Sequence, residues 1–485
     1  MDKDLLGKNT QVGNQEDHLR ITWQVFAQEV KEVCCVAGPM VVVNSSTFFL
    51  QTIALMMVGH LGKLAQSSTG VAISLCAVTG FSVMFGMASA LETLCGQAYG
   101  AKQYKKLGVQ IQTGIFCLYL CCLPVCLLWL NLEKLLNFLG QDPLIAHEAG
   151  KFTVCLIPAL FGYASLQALV RYYLMQSLVT PLVLSSSFTI CFHIALCWAL
   201  VFKSGMGRFG GALAIGTSYW LNVILLGSYM KFSNSCEKTR VLISKELFQG
   251  IKEFFRFAIP SAIMACLQWW SYELTTVLAG LFRPNPELET SILAVCVSMN
   301  ITIYSIPESI GSAASTRVSN ALGAGKPQEA RVSALCSRLL ATCEALIVSS
   351  IVFASQNVLG RVFSNEPDVI AYVTDIAPLL VMSVFLDSLQ GTITGIARGS
   401  GWQHIGAYVN FGAYYVVGIP LAAILGFWAC MRGKGLWLGI TTGTFCQVVV
   451  LLLIISCTDW VKEAKQARER TLQRTLAEEE ENILI

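Results

Sequence analysis

Residues 95–101 read CGQAYGA and residues 318–324 read VSNALGA, so a segment with the same Gly-Ala ending recurs at an offset of 223 positions. A second offset, of 221 positions, relates Pro39 to Pro260. The same two offsets relate further pairs: Ser165-Leu166-Gln167 with Ser388-Leu389-Gln390, Gly216 with Gly439, and Gly59 with Gly280. This repeat predicts two related halves, and each Gly-Ala pair is typical of the turn that ends a helix.

The composition indicates a membrane protein. Of the 485 residues, 54% are hydrophobic and only 13% are charged, and the mean hydropathy is +0.60; a soluble protein carries about twice that share of charged residues. Twelve apolar stretches are long enough to cross a bilayer as helices, which need about 20 residues each, whereas barrel strands are short and alternating. They are 33–58, 68–95, 109–132, 152–175, 182–204, 211–231, 257–282, 290–316, 332–357, 370–396, 404–429 and 435–458. We therefore predict an all-α polytopic membrane protein with twelve transmembrane helices in two six-helix lobes.

The distribution of basic residues predicts the topology. An even number of spans places both termini on one side, which carries 24 of the 33 Lys and Arg residues, or 15 against nine without the tails. Because cytoplasmic loops are rich in Lys and Arg, we expect both termini to be cytoplasmic. Six spans per half give the halves the same orientation, as in parallel repeats. The predicted division is an N-terminal segment 1–32, a lobe 33–231, a cytoplasmic linker 232–250, a lobe 251–458 and a cytoplasmic tail 459–485. The end of the linker, together with residues 251–257, is predicted to form an amphipathic helix at the interface.

The cysteines and the net charge argue against several other classes of protein. The nineteen cysteines lie mostly in apolar runs such as CLYLCCLPVC (117–126), with no CxxC pair and no Cys/His cluster of zinc spacing. We interpret them as packing residues and predict no metal site and no cofactor. A net charge of +3 gives no indication of a nucleic-acid partner, and none is expected. The first thirty residues contain no apolar core of signal-peptide type, so we expect no cleaved leader.

Two carboxylates lie well inside apolar spans: Glu273 in CLQWWSYELTTVLAG (266–280) and Asp387 in VMSVFLDSLQGTITG (381–395). Charged residues in a bilayer are costly and mark functional sites. The repeat offsets place Thr52 and Ala164 at the equivalent positions of the first half, so the fold itself does not require acids there. Removal from water favours the neutral form of a carboxylate, which can then exchange a proton near neutral pH. We predict that Glu273 and Asp387 form the proton-coupling and substrate site, at similar depth, where their negative charges repel each other.

Other polar side chains of the second half are predicted to support this site. On span 8, Asn300, Tyr304 and Glu308 follow one another at helical spacing. The full supporting set is Gln268, Asn300, Tyr304, Glu308, Gln390, Asn410 and Tyr414. The alternative is a set of interhelical hydrogen bonds that hold the helices together. Glu92 and Glu344 are interpreted as lying nearer the span ends, where Glu92 has a structural role and Glu344 is within reach of the interface.

Four segments resemble the multidrug and toxic compound extrusion (MATE) transporters, and among them the plant branch. They are GPMVVVNSSTFFLQTIALMMVGHLG in span 1, SALETLCGQAYGAKQY at the end of span 2, YELTTVLAG in span 7 and STRVSNALGAG after span 8. The resemblance covers about residues 30–460. It implies two six-helix lobes around a V-shaped cavity, and export of organic compounds in exchange for protons or sodium.

The resemblance also bears on individual residues. Plant and animal members have an essential glutamate in span 7, which matches Glu273, and plant members have an acid in span 10, which matches Asp387. Many prokaryotic members use an aspartate in span 1 at the position that is Ala54 here. A cation site of the bacterial type in the first lobe is therefore not expected, in agreement with the asymmetry of the repeat.

We accordingly predict a monomeric secondary exporter of cationic or amphipathic organic compounds, driven by protons rather than sodium, in the plasma or vacuolar membrane. The alternatives are a major facilitator transporter, a lipid flippase of related fold and, from another class, a polytopic membrane enzyme. A major facilitator usually has an acidic residue and paired arginines between spans 2 and 3, which GAKQYKKLG lacks. A flippase calls for a more cationic cavity. An enzyme calls for an intramembrane His/Asp or Cys/His constellation, and His193 has no obvious partner.

Overall fold

The computed structural model describes residues 23–242, 244–283, 285–356 and 367–483, and in these ranges every regular element is a helix. The first half forms α1 Trp23–Gly59, α2 Lys63–Gly100, α3 Tyr104–Leu130, α4 Pro143–Met175, α5 Val179–Lys203 and α6 Arg208–Phe232, called the N-terminal lobe below. The second half forms α7 Ile251–Ala279, α8 Pro286–Gly323, α9 Pro327–Ala354, α10 Pro367–Ser400, α11 Gln403–Trp428 and α12 Arg432–Ser456, called the C-terminal lobe. A further helix, α13 Trp460–Ile483, follows. The all-α prediction is confirmed.

The helices extend beyond the apolar stretches that predict them. α1 begins at Trp23, well before residue 33. α7 begins at Ile251, so residues 251–257 form its first turns rather than a separate interfacial helix. A separate four-residue helix, Glu246–Gln249, lies directly before it. Hydropathy marks the part of a helix at hydrocarbon depth, whereas the backbone hydrogen bonds continue into the polar layers on either side.

Eleven of the described helices are long and apolar enough to cross a membrane. The twelfth predicted span is α7, whose 29 residues give a helix of about 43 Å at 1.5 Å per residue. Gln268, Ser271 and Glu273 lower its hydropathy. The length of α7 therefore fits a twelfth crossing, and its polar side chains belong to the site described below.

The repeated Gly-Ala pairs mark a contact between the lobes. α2 ends at Gly100 and α8 at Gly323, as predicted, although the left-handed residue after α8 is Gly325, with φ 72°. Gly100 lies against the backbone of Asn320, and Gly323 lies against the backbone of Gln97. A side chain at either glycine would meet backbone atoms of the other lobe. The two glycines therefore permit the close approach of α2 and α8.

Both described ends of the chain lie on one side of the helix bundle, called the terminal side below. Lys106, near the start of α3, donates from Nζ to the carbonyl oxygens of Arg470 and Thr471 in α13, at 3.3 and 2.9 Å. Arg317, near the end of α8, donates from Nε and Nη2 to the two carboxylate oxygens of Glu29 in α1, at 2.9 and 2.6 Å. The two lobes are therefore closed against each other on the terminal side.

The apolar cores of the two lobes are built differently. Most buried apolar residues of the N-terminal lobe form one continuous cluster, which extends into α7 and α8. The C-terminal lobe has one cluster on the terminal side, around Ile393 and Trp402, and another on the opposite side, around Met299 and Trp437. Between them lies a layer of polar residues that contains the predicted site. The asymmetry between the halves is therefore present in their packing as well as in the sequence.

α8 and α10 cross closely within the C-terminal lobe. Gly391, Gly395 and Gly399 follow one another at intervals of four on α10. They face the backbone of α8 at Pro307, Gly311 and Ser315 respectively. Small residues at a helix crossing permit this approach, which in membranes is stabilised mainly by close packing. The crossing sets how near the polar side chains of α8 and α10 can come to each other.

Candidate functional site

Asp387 lies on α10 within the polar layer, with 3% of its surface exposed. The hydroxyl of Tyr272 on α7 donates to its two carboxylate oxygens, at 3.1 and 3.3 Å. The Asn300 side chain on α8 donates from Nδ2 to Oδ2, at 2.8 Å. Asp387 thus joins three helices through neutral donors, and no Lys, Arg or His side chain is among these partners.

A second polar group lies one turn along α10, towards the terminal side. Gln268 on α7 and Gln390 on α10 exchange two amide hydrogen bonds, of 3.0 and 2.8 Å. Tyr304 on α8 donates to Gln390 Oε1 at 3.0 Å, and Gln390 Nε2 donates to Thr394 Oγ1 at 2.9 Å. These predicted residues therefore link the same three helices as Asp387 does.

A cavity beside Asp387 is lined by both predicted carboxylates. Three aromatic side chains, Trp269, Tyr272 and Tyr304, also line it, and the rings of Trp269 and Tyr304 meet edge to face with centroids 5.7 Å apart. The full lining is Gln268, Trp269, Tyr272, Glu273, Val297, Asn300, Ile301, Tyr304 and Asp387. The arrangement places aromatic rings and two carboxylates around one small cavity, an environment that attracts a cationic group.

Glu273 is half-buried, and its carboxylate faces Ser74 on α2 of the other lobe. The expected direct repulsion between Glu273 and Asp387 is not supported, because the α7 residue that contacts Asp387 is Tyr272. Successive residues of an α-helix point about 100° apart, so residues 272 and 273 cannot both face α10 directly. The structure brings both carboxylates to one cavity and links them through the backbone of α7.

Asn410 and Tyr414 form a third polar group, away from this cavity. Asn410 donates to the carbonyl oxygen of Met264 on α7, at 2.7 Å. Gln447 on α12 donates to Asn410 Oδ1 and accepts from the Tyr414 hydroxyl, both at 2.7 Å. All three polar side chains are fully buried. This group fits the alternative interpretation, interhelical bonds that hold α7, α11 and α12 together.

Glu308 lies among charged residues that the sequence did not bring together. Arg398 on α10 donates from Nη2 to Glu308 Oε1, at 2.9 Å. The same guanidinium donates from Nε to Glu92 Oε2 on α2, at 2.9 Å, and Glu92 is completely buried. Glu92 therefore binds charged side chains in the interior rather than a loop.

Glu344 also differs from expectation. It lies 17 residues into α9, with both carboxylate oxygens covered and without a hydrogen-bond partner among the described residues. The Ser388 hydroxyl faces it from α10, but outside good hydrogen-bonding geometry. Glu344 is thus in the interior of α9 rather than near the interface. Its carboxylate therefore faces α10 at Ser388, and Glu344 is not among the residues that line the cavity.

The equivalent positions of the N-terminal lobe carry no polar site. Ala54 and Ala164 are completely buried in the apolar core. The Thr52 hydroxyl donates to the carbonyl oxygen of Phe48 in its own helix, at 3.3 Å. The predicted asymmetry between the two lobes therefore extends to the side chains at these positions.

Two further predictions concern the cysteines and a metal site. All nineteen cysteines are free, as expected for packing residues. Within the described ranges, no group of three or more His, Cys, Asp or Glu side chains could hold a metal ion. The absence of a cofactor stays a prediction.

Sequence reasoning misses Tyr272, Trp269 and Arg398. Tyr272 and Trp269 are in the stretch around Glu273, and aromatic residues near an intramembrane acid are the available signal. Arg398 counts as a cytoplasmic charge in the sequence because it is two residues from the end of α10. Its low exposure of 3% shows that it belongs to the interior.

Two repeated halves of membrane-length helices, the second of which contains a carboxylate-lined cavity, define a polytopic membrane transporter. The MatE family model matches residues 39–199 and 260–424, one segment in each half. The chain therefore belongs to the MATE family. The two matched segments begin at Pro39 and Pro260, the pair that the sequence repeat relates.

Individual relatives agree. Protein DETOXIFICATION 14 of Arabidopsis thaliana is 56% identical over 455 residues, which is 94% of each chain, and Protein DETOXIFICATION 10 of the same plant is 52% identical over 456 residues, 93% of each chain. The crystal structure of the eukaryotic MATE transporter AtDTX14 matches with a TM-score of 0.90 at 56% identity, over 92% of this chain and 99% of that one. The MATE transporter VcmN of Vibrio cholerae, in its bent form, matches with a TM-score of 0.77 over 92% and 99% at 15% identity, and so shows the fold alone.

These matches decide between the alternatives. The predicted MATE fold and family are confirmed, and the chain belongs to neither the major facilitator nor the flippase alternative. The enzyme alternative is wrong, because the protein belongs to a family of transporters. Small molecules are its substrates, and it is a multi-pass membrane protein.

Proposed function

We propose that this transporter exports organic compounds in exchange for inward-moving protons. The observation that carries the proposal is Asp387, a buried carboxylate bound by Tyr272 and Asn300 without a cationic partner, in the same cavity as Glu273. A buried ionised carboxylate without a counter-ion is costly, so either a proton or a cationic substrate stabilises it. The two therefore compete for one site, which is the requirement for exchange.

Proton binding at Asp387 changes its hydrogen bonds. An ionised carboxylate accepts from both the Tyr272 hydroxyl and the Asn300 amide, whereas a protonated one must itself donate. The oxygen without the proton can still accept, but the bond that the Tyr272 hydroxyl shares between both oxygens then has to shift. Because Tyr272 is on α7 and Asn300 on α8, the rearrangement alters the contacts of α10 with both helices.

The lining indicates the class of substrate. The aromatic rings of Trp269, Tyr272 and Tyr304 attract cations through their faces, and Glu273 and Asp387 add negative charge. We therefore propose cationic or amphipathic organic substrates, handled by a monomer in the plasma or vacuolar membrane. The Tyr272 hydroxyl and the Asn300 amide bind the ionised Asp387 carboxylate, which a proton neutralises directly, and we propose a proton rather than sodium as the coupling ion.

The experiment uses the purified full-length protein in proteoliposomes with a panel of organic cations, anions and neutral compounds. We expect accumulation of cationic members under an imposed pH difference and none under a sodium gradient at equal pH. Accumulation driven by sodium alone would contradict the coupling, and transport of anions in preference to cations would contradict the substrate class.

We also predict that both termini are cytoplasmic, because of the excess of Lys and Arg on the terminal side. Lys238 and Asn285 are exposed and lie on opposite sides of the bundle. In a background without exposed cysteines, K238C should react with a membrane-impermeant reagent only from the cytoplasm, and N285C only from outside. Labelling of K238C on intact cells would reverse the orientation.

A further inference from the structure

Four ionisable side chains form a buried cluster where α2, α4, α8 and α10 meet. The members of this ion cluster are Glu92, Arg171, Glu308 and Arg398, and none is more than 8% exposed. Arg398 lies 2.9 Å from both Glu92 and Glu308, and Arg171 Nε lies 3.6 Å from Glu92 Oε1. Two acids and two bases make the cluster neutral.

The cluster is divided equally between the lobes. Glu92 and Arg171 belong to the N-terminal lobe, and Glu308 and Arg398 belong to the C-terminal lobe. The contact that joins the lobes is the one between Glu92 and Arg398. Each lobe therefore contains one acid and one base that could neutralise each other without the other lobe.

The pair inside the N-terminal lobe is incomplete. Glu92 Oε1 and Arg171 Nε face each other at 3.6 Å, beyond hydrogen-bonding distance, and neither atom has a hydrogen-bond partner in the described part of the chain. The other nitrogens of Arg171 bind Gln167 and Ser89 of the same lobe. Arg171 is thus held in place with one donor unused, and a small shift of Glu92 would complete the pair.

We infer that the ion cluster is an exchange latch, in which Glu92 passes from Arg398 to Arg171 when the lobes part on the terminal side. Arg398 stays with Glu308, so each lobe carries a neutral pair in the open state. Breaking a buried ion pair usually leaves a buried charge without a partner, which is strongly unfavourable. The exchange avoids this cost, because Glu92 gains Arg171 as it leaves Arg398. The inference rests on the proposed exchange transport, which needs the cavity to open to each side in turn, but not on which carboxylate binds the proton.

Another ion pair between the lobes shows the contrast. Glu29 and Arg317 also join them on the terminal side, but the arginine side chain is 30% exposed. When this pair separates, water can solvate both charges, so no exchange partner is needed. The buried contact of Glu92 with Arg398, in contrast, requires an exchange partner.

The test measures lobe separation directly in the full-length protein. Spin labels are attached at the exposed positions of Lys105 in the N-terminal lobe and Arg331 in the C-terminal lobe, with the exposed and half-buried cysteines replaced. The ratio of short to long distances reports the closed and open states of the terminal side. The variants are Arg171→Gln, Arg171→Lys, Glu92→Gln and, as a matched control, Arg317→Gln.

The latch predicts that removing the charge of Arg171 and removing the charge of Glu92 shift the ratio of closed to open states in opposite directions. Arg171→Gln leaves Glu92 without a partner in the open state only, so the ratio should shift at least tenfold towards closed, equivalent to about 1.4 kcal/mol. Arg171→Lys should restore part of the open state, which also covers the case that the glutamine variant does not fold. Glu92→Gln and Arg317→Gln should both shift towards open.

A cluster that only holds the lobes together gives a different result. Every charge removed then loosens the closed state, so Arg171→Gln would shift the ratio towards open, as Glu92→Gln does. That outcome, or no shift in either arginine 171 variant, overturns the latch. If the unaltered protein showed no proton-driven transport while the distances followed the latch prediction, the proposed function would be contradicted and the latch would not. The two failures are therefore distinguishable.

Discussion

A Glu273→Gln variant is expected to fold and to bind substrate, but to lose export against a concentration gradient. Glutamine has nearly the same shape and stays in the cavity lining, yet it cannot bind and release a proton. With a pH difference of about one unit and one proton per substrate, the intact protein can accumulate substrate up to about tenfold, since tenfold corresponds to about 1.4 kcal/mol. The variant should stay near a ratio of one. Uptake of labelled substrate into proteoliposomes measures both values.

Glu344→Gln is the matched control, because it makes the same change at a buried carboxylate of the same lobe outside the cavity. Its accumulation ratio should equal that of the unaltered protein.

Asp387→Asn should be impaired more broadly, since an amide in that place turns one acceptor into a donor that faces Tyr272 or Asn300. Uphill transport by Glu273→Gln at the normal rate would remove Glu273 from the coupling mechanism.

The geometry suggests how the two carboxylates act together without touching. A proton on Asp387 changes the bond to Tyr272, and Tyr272 precedes Glu273 on α7. On the same helix, the Trp270 indole donates to the carbonyl oxygen of Val78, at 3.0 Å, where α2 has a π-helical turn over Ala77–Phe81. A movement of α7 therefore reaches the N-terminal lobe directly. Such a movement breaks few apolar contacts if it takes place in the polar layer, which lies between the two apolar clusters of the C-terminal lobe.

Much of the fold can be predicted because lipid imposes strong rules on sequence. Apolar stretches predict each of the long helices α1 to α12, and the repeated segments relate the two halves. α7 has the weakest apolar signal of the twelve, because Gln268, Ser271 and Glu273 are polar. Helix ends are predicted less well, as at Trp23 and Ile251, because the polar end turns carry no apolar signal.

The site can be predicted in part for the same reason. Rare acids in apolar spans identify Glu273 and Asp387, which line one cavity. The partners of each acid depend on helix rotation and crossing, which one sequence does not encode locally. Thus the sequence groups Asn410 and Tyr414 with Asp387, whereas both bind Gln447 directly, and Tyr414 reaches Asp387 only by way of Thr444. Arg398 is missed because a charge near a span end has the same sequence signal whether it faces water or the other lobe.

The crossing of α8 and α10 is the basis of the second large prediction. A Cβ added at Gly395 would overlap the backbone of Gly311, and at Gly399 it would lie 2.6 Å from the carbonyl oxygen of Ser315. Backbone atoms cannot turn away as the end of a flexible side chain can. The helices would have to separate, which also lengthens the bond between Asn300 and Asp387.

Gly395→Ala is therefore expected to destabilise the protein by about 3 kcal/mol, the upper end of the cost of overpacking. Gly227→Ala is the control, since a Cβ at Gly227 meets nothing within 4 Å and alanine favours the helix. Thermal unfolding of the two purified variants should show a clear loss for the first and no loss for the second. Equal stability would mean that α8 and α10 can separate without cost. In that case the crossing would not hold Asp387 against Asn300, and the hydrogen bonds of Asp387 would have to be positioned by α7 alone.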